Sequence, residues 1–115
     1  ERALNPEMHI VGCLDTGWPL PKTYFEYLEV FNCPIFKMSC EEAEYAKIAI
    51  NMCLITQVEM SNVIYEKANK IGADWEIIKA VLQQDRRIGP YAYLEPGKWG
   101  DSEHLLRDYV TFTEL

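Results

Sequence analysis

Lys47 and Asn51 stand four residues apart in a stretch otherwise rich in Ile, Ala and Met, with Glu44 three positions earlier. On a helix that spacing puts an amine and an amide on one face. Burying either group without a partner costs roughly 1–3 kcal/mol, so the pair needs a reason. Either it is aimed at a ligand oxygen, or it forms a solvated stripe or a structural hydrogen bond. Further on, Asp85-Arg86-Arg87-Ile88-Gly89 sets two guanidinium groups past an expected helix end. Arg forks suit phosphate and carboxylate oxygens, and a cation there also complements a helix C-terminus. The loop Tyr91-Ala92-Tyr93-Leu94-Glu95-Pro96-Gly97-Lys98-Trp99-Gly100 offers aromatic faces that either stack on a base or sugar or simply pack. His104 falls in the first turn of an expected last helix, where a structural role competes with a catalytic one.

Composition narrows the setting for this chemistry. The 115 residues fit one domain with a modest core that a partner surface would help to complete. Hydrophobic content is 49% and charged content 25%, as in a globular chain. A net charge of −7 argues against nucleic-acid binding, which wants a basic face. The apolar runs are interrupted before a membrane-spanning length, so no membrane partner is expected. No charged-then-apolar leader opens the chain, and it begins Glu1-Arg2-Ala3 without a Met, as either a trimmed chain or a piece of a larger gene product would. Cys13, Cys33, Cys40 and Cys53 form no Cys-x-x-Cys pair and lie far from both histidines, so no metal site is expected. Reduced, packing cysteines and a cytoplasmic location fit this usage.

The elements that position these residues are mainly helical. His9–Cys13 reads as a short strand, followed by a loop with Asp15, Gly17, Pro19 and Pro21. Lys22–Phe31 has helical apolar spacing, and Pro34–Met38 reads as a second strand, parallel to the first. Ser39-Cys40-Glu41-Glu42 matches the S-x-x-E capping box. With no Gly or Pro until Gly72, the helix it starts should run about 32 residues, about 48 Å. Its Ile48–Ile55 stretch is apolar nearly all round, which predicts burial on every side, partly by a second copy. Gly72 suits a left-handed helix end, and Asp74 caps a helix from Trp75 to about Gln84, with Trp75, Ile78, Val81 and Leu82 on one face. Asp101 or Ser102 caps a last helix, with Leu105, Leu106, Tyr109 and Phe112 apolar. There is no internal repeat and no low-complexity run.

Taken in order, these pieces resemble the UDP-glucose/GDP-mannose 6-dehydrogenase family. The segments that carry the resemblance are P-E-M-H-I-V-G (6–12), E-E-A-E-Y-A-K-I-A-I-N (41–51), N-x-x-Y-E-K-A-N-K-I-G-A-D-W (62–75), D-R-R-I-G (85–89) and Y-L-E-P-G (93–97). The resemblance implies a nucleotide-sugar ligand, two NAD-dependent oxidations in the full-length family, and a homodimer. It implies that residues 1–38 are a strand-helix-strand remnant of a nucleotide-binding domain edge. Residues 39–115 would then be the helical dimerisation and substrate-side domain. By the same resemblance Lys47 and Asn51 fall at the active-site Lys and Asn. A cation and an amide on a rigid helix suit a developing oxyanion. Arg87, Tyr93, Pro96 and Gly97 fall in the region that grips the nucleotide sugar.

The departures concern the chemistry itself. Laid on the family's pattern, residues 96–108 put His104 where the nucleophilic Cys belongs and Arg107-Asp108 where the family has Lys-Asp, with Asp108 matching. The second oxidation runs through a thiohemiacetal and a thioester, for which an imidazole is a poor substitute. Gln57 stands where the family tends to have Lys, and Val63 where it tends to have Glu. There is no G-x-G-x-x-G, so no NAD binding is expected of this chain alone. One reading is an enzyme part whose cofactor domain lies elsewhere. Another is a non-catalytic dimerisation or binding module that kept the scaffold. A third, an unrelated helical interaction protein, requires the motif order to be coincidence.

Overall fold

A computed structural model describes residues 5–115. Its element order is β1 (His9–Cys13), α1 (Lys22–Glu29), β2 (Ile35–Ser39), α2 (Cys40–Lys70), α3 (Trp75–Gln84), a 3₁₀ turn (Trp99–Asp101) and α4 (Glu103–Thr113). The chain is mainly α, with a small parallel sheet ahead of the long helix, as its patterning predicts. It divides into two compact units, one ending at Lys47 and the other spanning Ile48–Leu115, so the division falls inside α2.

In the first unit β1 and β2 pair in parallel, with His9 opposite Ile35 and Cys13 opposite Ser39. Pro34 has no amide to give, and β2 starts one residue after it. The Pro34 carbonyl still accepts from the His9 amide at 2.8 Å. Helix α1 stops at Glu29, short of the expected Phe31. The amides of Val30, Phe31 and Asn32 turn back three residues to Tyr27, Leu28 and Glu29. Asn32 then takes φ 51°, a left-handed conformation that Asn tolerates better than most residues. Leu28 is the buried anchor of this helix. Gly12 is required by close approach: a Cβ there would lie 3.1 Å from both the Ala43 Cβ and the Cys40 Cα.

The capping box forms as its spacing predicts. The Glu42 amide donates to Ser39 Oγ at 3.1 Å, and the Ser39 amide donates to Glu42 Oε1 at 3.0 Å. These bonds hold the Glu42 carboxyl below its ordinary pKa, the Ser39 backbone amide first and its hydroxyl second. At the other end Gly72 sits at φ 74°. Its amide reaches Asn69 O, and the Ala73 amide reaches Ala68 O at 2.8 Å, the paired bonds of a Schellman stop. Asp74 caps α3 through the Glu76 amide at 2.9 Å.

In the second unit the core is narrow. Ile55, Val58, Ser61 and Ala68 of α2 are buried, with Trp75, Leu94 and Asp108. Burial on every side of Ile48–Ile55 is not what the single chain shows. Only Ile55 is buried there, Ile50 is 43% exposed and Cys53 is exposed. The remaining elements of the unit cover one stripe of the helix, not its whole circumference. On α3 the buried edge is Trp75, with Ile78 and Leu82 half-buried. Val81 is 64% exposed, off the face expected for it. Trp75 meets Tyr65 edge-on at 5.7 Å. All four cysteines are free. Among the described residues no helix is long and apolar enough to cross a membrane.

Candidate functional site

Helix α2 is the platform of the second unit. Its half-buried Asn51 donates from Nδ2 to Asp108 Oδ2 on α4 at 2.5 Å. Ser102 caps α4 by accepting from the Leu105 amide at 3.4 Å, which starts the helix three turns before its end. Asp108 is 8% exposed, and its other oxygen lies 3.6 Å from Arg107 Nε. A second contact with α2 comes from the 3₁₀ turn, where the Trp99 indole donates to the Glu59 carboxyl and its ring meets Tyr109 of α4 tilted at 60°, 5.1 Å between centroids. Asn51 facing Asp108 and Glu59 facing Trp99 mean that the segment from 99 to 108 runs antiparallel to α2.

Three more side chains of α2 hold the Tyr93–Gly97 segment. The Tyr93 amide donates to Gln57 Oε1 at 2.9 Å, and Ser61 Oγ donates to the Tyr93 carbonyl at 3.4 Å. Asn62 grips Gly97 twice, accepting from its amide at 2.8 Å and donating to its carbonyl at 2.7 Å. Leu94 is buried between these ends, and Glu95 reaches Lys79 of α3 at 3.1 Å. Lys79 also meets Glu76 at 3.4 Å. The Glu95 bond first, then the Glu76 bond, raise the Lys79 pKa above its ordinary value. A small cavity of about 120 Å³ lies against Pro96, Gly97, Trp99, Val58 and Leu105.

Arg87 lies beside the Tyr93 end of this grip, lining one groove with Gln57, Ser61 and Leu94. It is folded onto Asp85, with Nε 3.1 Å from Oδ1 and Nη2 2.9 Å from Oδ2. This pairing lowers the Asp85 pKa and raises that of Arg87. Arg87 edges a mostly apolar groove of about 330 Å³ between α2, α3 and the loop, with Met60, Ile64, Leu82 and Ile88.

Of the residues singled out by sequence, the fold therefore brings Asn51 and Asp108 into contact. Tyr93, Pro96 and Gly97 are laid along α2, a few turns further on. Lys47 is exposed one turn before Asn51, and His104 is exposed one turn before Asp108. The grip of Gln57, Ser61 and Asn62 is missed by sequence reasoning. Its one local signal is the set of polar residues at 57, 61 and 62 on the face that otherwise carries Val58 and Ile55.

The turn after β1 is poor in donors for a dinucleotide. The turn after β1 carries Asp15, whose carboxyl already accepts from the Gly17 amide at 2.8 Å. That spends a backbone donor and adds negative charge where a pyrophosphate would need donors. Pro19 and Pro21 remove two further amides ahead of α1.

What the geometry defines is a helical domain in which one long helix carries both an inter-helix polar contact and an ordered Tyr-rich loop. Residues 41–113 match the model of the UDP-glucose/GDP-mannose dehydrogenase family, central domain. Over 67 residues the chain is 36% identical to UDP-glucose 6-dehydrogenase YwqF of Bacillus subtilis (strain 168), covering 58% of this chain. It spans 15% of that relative's length. The chain belongs to the UDP-glucose/GDP-mannose dehydrogenase family, through the family's central domain.

Proposed function

We propose that this chain is the substrate-side, dimer-forming part of a nucleotide-sugar 6-dehydrogenase. The full-length family oxidises UDP-glucose or a similar sugar nucleotide with NAD, and the setting is cytoplasmic polysaccharide biosynthesis. The observation that carries this reading is the Asn51–Asp108 hydrogen bond. It joins two residues, 57 positions apart, that the family pattern assigns to the reacting centre. In this reading Lys47 supplies a cation and Asn51 an amide donor to the substrate oxygen that gains negative charge. Asp108 fixes the rotamer of Asn51. Arg87 and the Tyr93–Gly97 segment take the nucleotide sugar, with Arg87 released from Asp85 to meet a phosphate. Residues 1–38 are the edge of a nucleotide-binding domain, and NAD is held by other parts of a full-length enzyme.

The chain alone does not carry out the double oxidation. The imidazole of His104 stands where the family uses a thiolate, and the acyl-enzyme step has no other nucleophile there. That same substitution favours a second reading, a dimerisation or binding module that retains the scaffold and catalyses nothing.

Calorimetric titration of UDP-glucose into the wild type and into Lys47→Ala tests the proposal. The expected result is heat from the wild type and a weaker isotherm from the variant. Equal heats, or none from either, would remove the substrate-site assignment. Joining the chain to a cofactor domain separates the two readings, because the module reading expects no turnover.

A further inference from the structure

The Tyr93–Gly97 segment has no regular secondary structure, yet the backbone groups at both of its ends are matched. At Tyr93 the amide is taken by Gln57 and the carbonyl by Ser61. At Gly97 the amide and the carbonyl are both taken by the one side chain of Asn62. A primary amide presents one acceptor and one donor side by side. It can therefore close a ring with a backbone residue, and of the three gripping side chains Asn62 is the one that does so. The partners sit 35 residues apart, so the contact fixes where the far end of the loop lies on α2. Ser61 is 1% exposed, so the Tyr93 carbonyl is tied to a buried side chain although Tyr93 itself is exposed. Gly97 is exposed and a Cβ there would meet nothing within 4 Å, so at this residue the Asn62 contact is not backed by side-chain packing.

We propose that Asn62 is a positioning residue. It clasps Gly97 by a two-way amide contact and so holds the 93–97 segment in the conformation that meets the ligand. The clasp stands on the hydrogen-bond geometry alone. Its consequence for a ligand rests on the substrate-side role proposed above. Asn62 does not touch the ligand in this scheme; it acts through the backbone of Gly97.

Amide hydrogen exchange, read residue by residue by NMR, tests the clasp in the intact chain. In Asn62→Ala the Gly97 amide is expected to exchange at least about tenfold faster, while the amide of Val58 in α2 is unchanged. In Asn62→Asp one oxygen still accepts from Gly97 N–H but the other meets the Gly97 carbonyl as a second acceptor, so only part of the protection should return. A merely structural role for Asn62 would instead loosen α2 in both variants. An unchanged Gly97 rate in Asn62→Ala overturns the clasp. If that variant does not fold, Asn62→Asp decides, because a Gly97 rate that rises together with the Val58 rate also overturns it. UDP-glucose calorimetry reads the second half, with affinity expected to fall roughly tenfold in Asn62→Ala. Faster Gly97 exchange at unchanged affinity would refute the positioning role. No heat from the wild type would sink the substrate reading, and the exchange result would still decide the clasp.

Discussion

Asn51 of α2 donates to the Asp108 carboxyl of α4 at 2.5 Å, and Asp108 is 8% exposed. A polar contact this sheltered should couple the two helices. Either single substitution, Asn51→Ala or Asp108→Ala, leaves its partner half-buried or buried without this bond. Each is expected to cost about 1–3 kcal/mol in urea unfolding. The double variant should cost clearly less than the sum, because both halves of the contact are then gone. Additive costs would mean that the two side chains do not interact in solution.

Three ion-linked contacts give the pH dependence a definite sign. Glu42 is held below its ordinary pKa by Ser39, and Asp85 by Arg87. Their contribution is present above the unfolded carboxyl pKa of about 4 and is lost as pH falls through the lower folded values. Lys79 is raised by Glu95 and then Glu76. Its contribution is present below the unfolded lysine pKa of about 10.4 and is lost as pH rises through the higher folded value. Thermal melts from pH 2 to 11 should therefore fall at both ends. Glu42→Gln should flatten part of the acid limb and Lys79→Met part of the alkaline limb.

The two ends of α2 are set by local rules, and both should respond to single atoms. Ser39→Ala removes the cap on the Glu42 amide and is expected to cost about 1 kcal/mol. Gly72→Ala meets no steric neighbour but must hold φ 74°, which costs a non-glycine residue about 1–2 kcal/mol. Gly12→Ala differs in kind. Its new Cβ would press on Cys40 and Ala43 at 3.1 Å, so the expected loss of about 1–3 kcal/mol comes from overpacking. Circular dichroism melts of the three variants check all of these.

Those ends were also the most legible part of the sequence. A capping box, a glycine stop and an aspartate cap each involve residues a few positions apart, so the chain states them locally. The Asn51–Asp108 contact is different. Both residues were readable as site candidates, but their meeting depends on α4 returning antiparallel along α2. The grip on Tyr93 and Gly97 was invisible for the same reason, since Gln57, Ser61 and Asn62 find backbone partners more than 30 residues away. The apolar girth of Ile48–Ile55 predicts burial on every side with part of it from a second copy, and within the single chain only Ile55 is buried. Hydrophobicity states what a surface prefers, not whether its own chain can cover it.

That uncovered surface makes the last prediction. Cys53, Met60 and Val63 recur at helical spacing and are exposed on α2, with Met60 at the rim of the groove shared with α3. Met60 is 56% exposed and Val63 45% exposed. Apolar side chains of this size gain roughly 1.5–3 kcal/mol each on full burial, and a second copy of the same helix offers the same stripe. The proposed homodimer would use it. Sedimentation at micromolar concentration is expected to give a dimer for the wild type. Met60→Glu combined with Val63→Glu should weaken it roughly a hundredfold while leaving the helical signal intact. Both side chains are about half exposed, so a retained helical signal checks that the monomer still folds. A wild type that sediments only as monomer would refute the dimer. A double variant that stays dimeric would move the interface to another face.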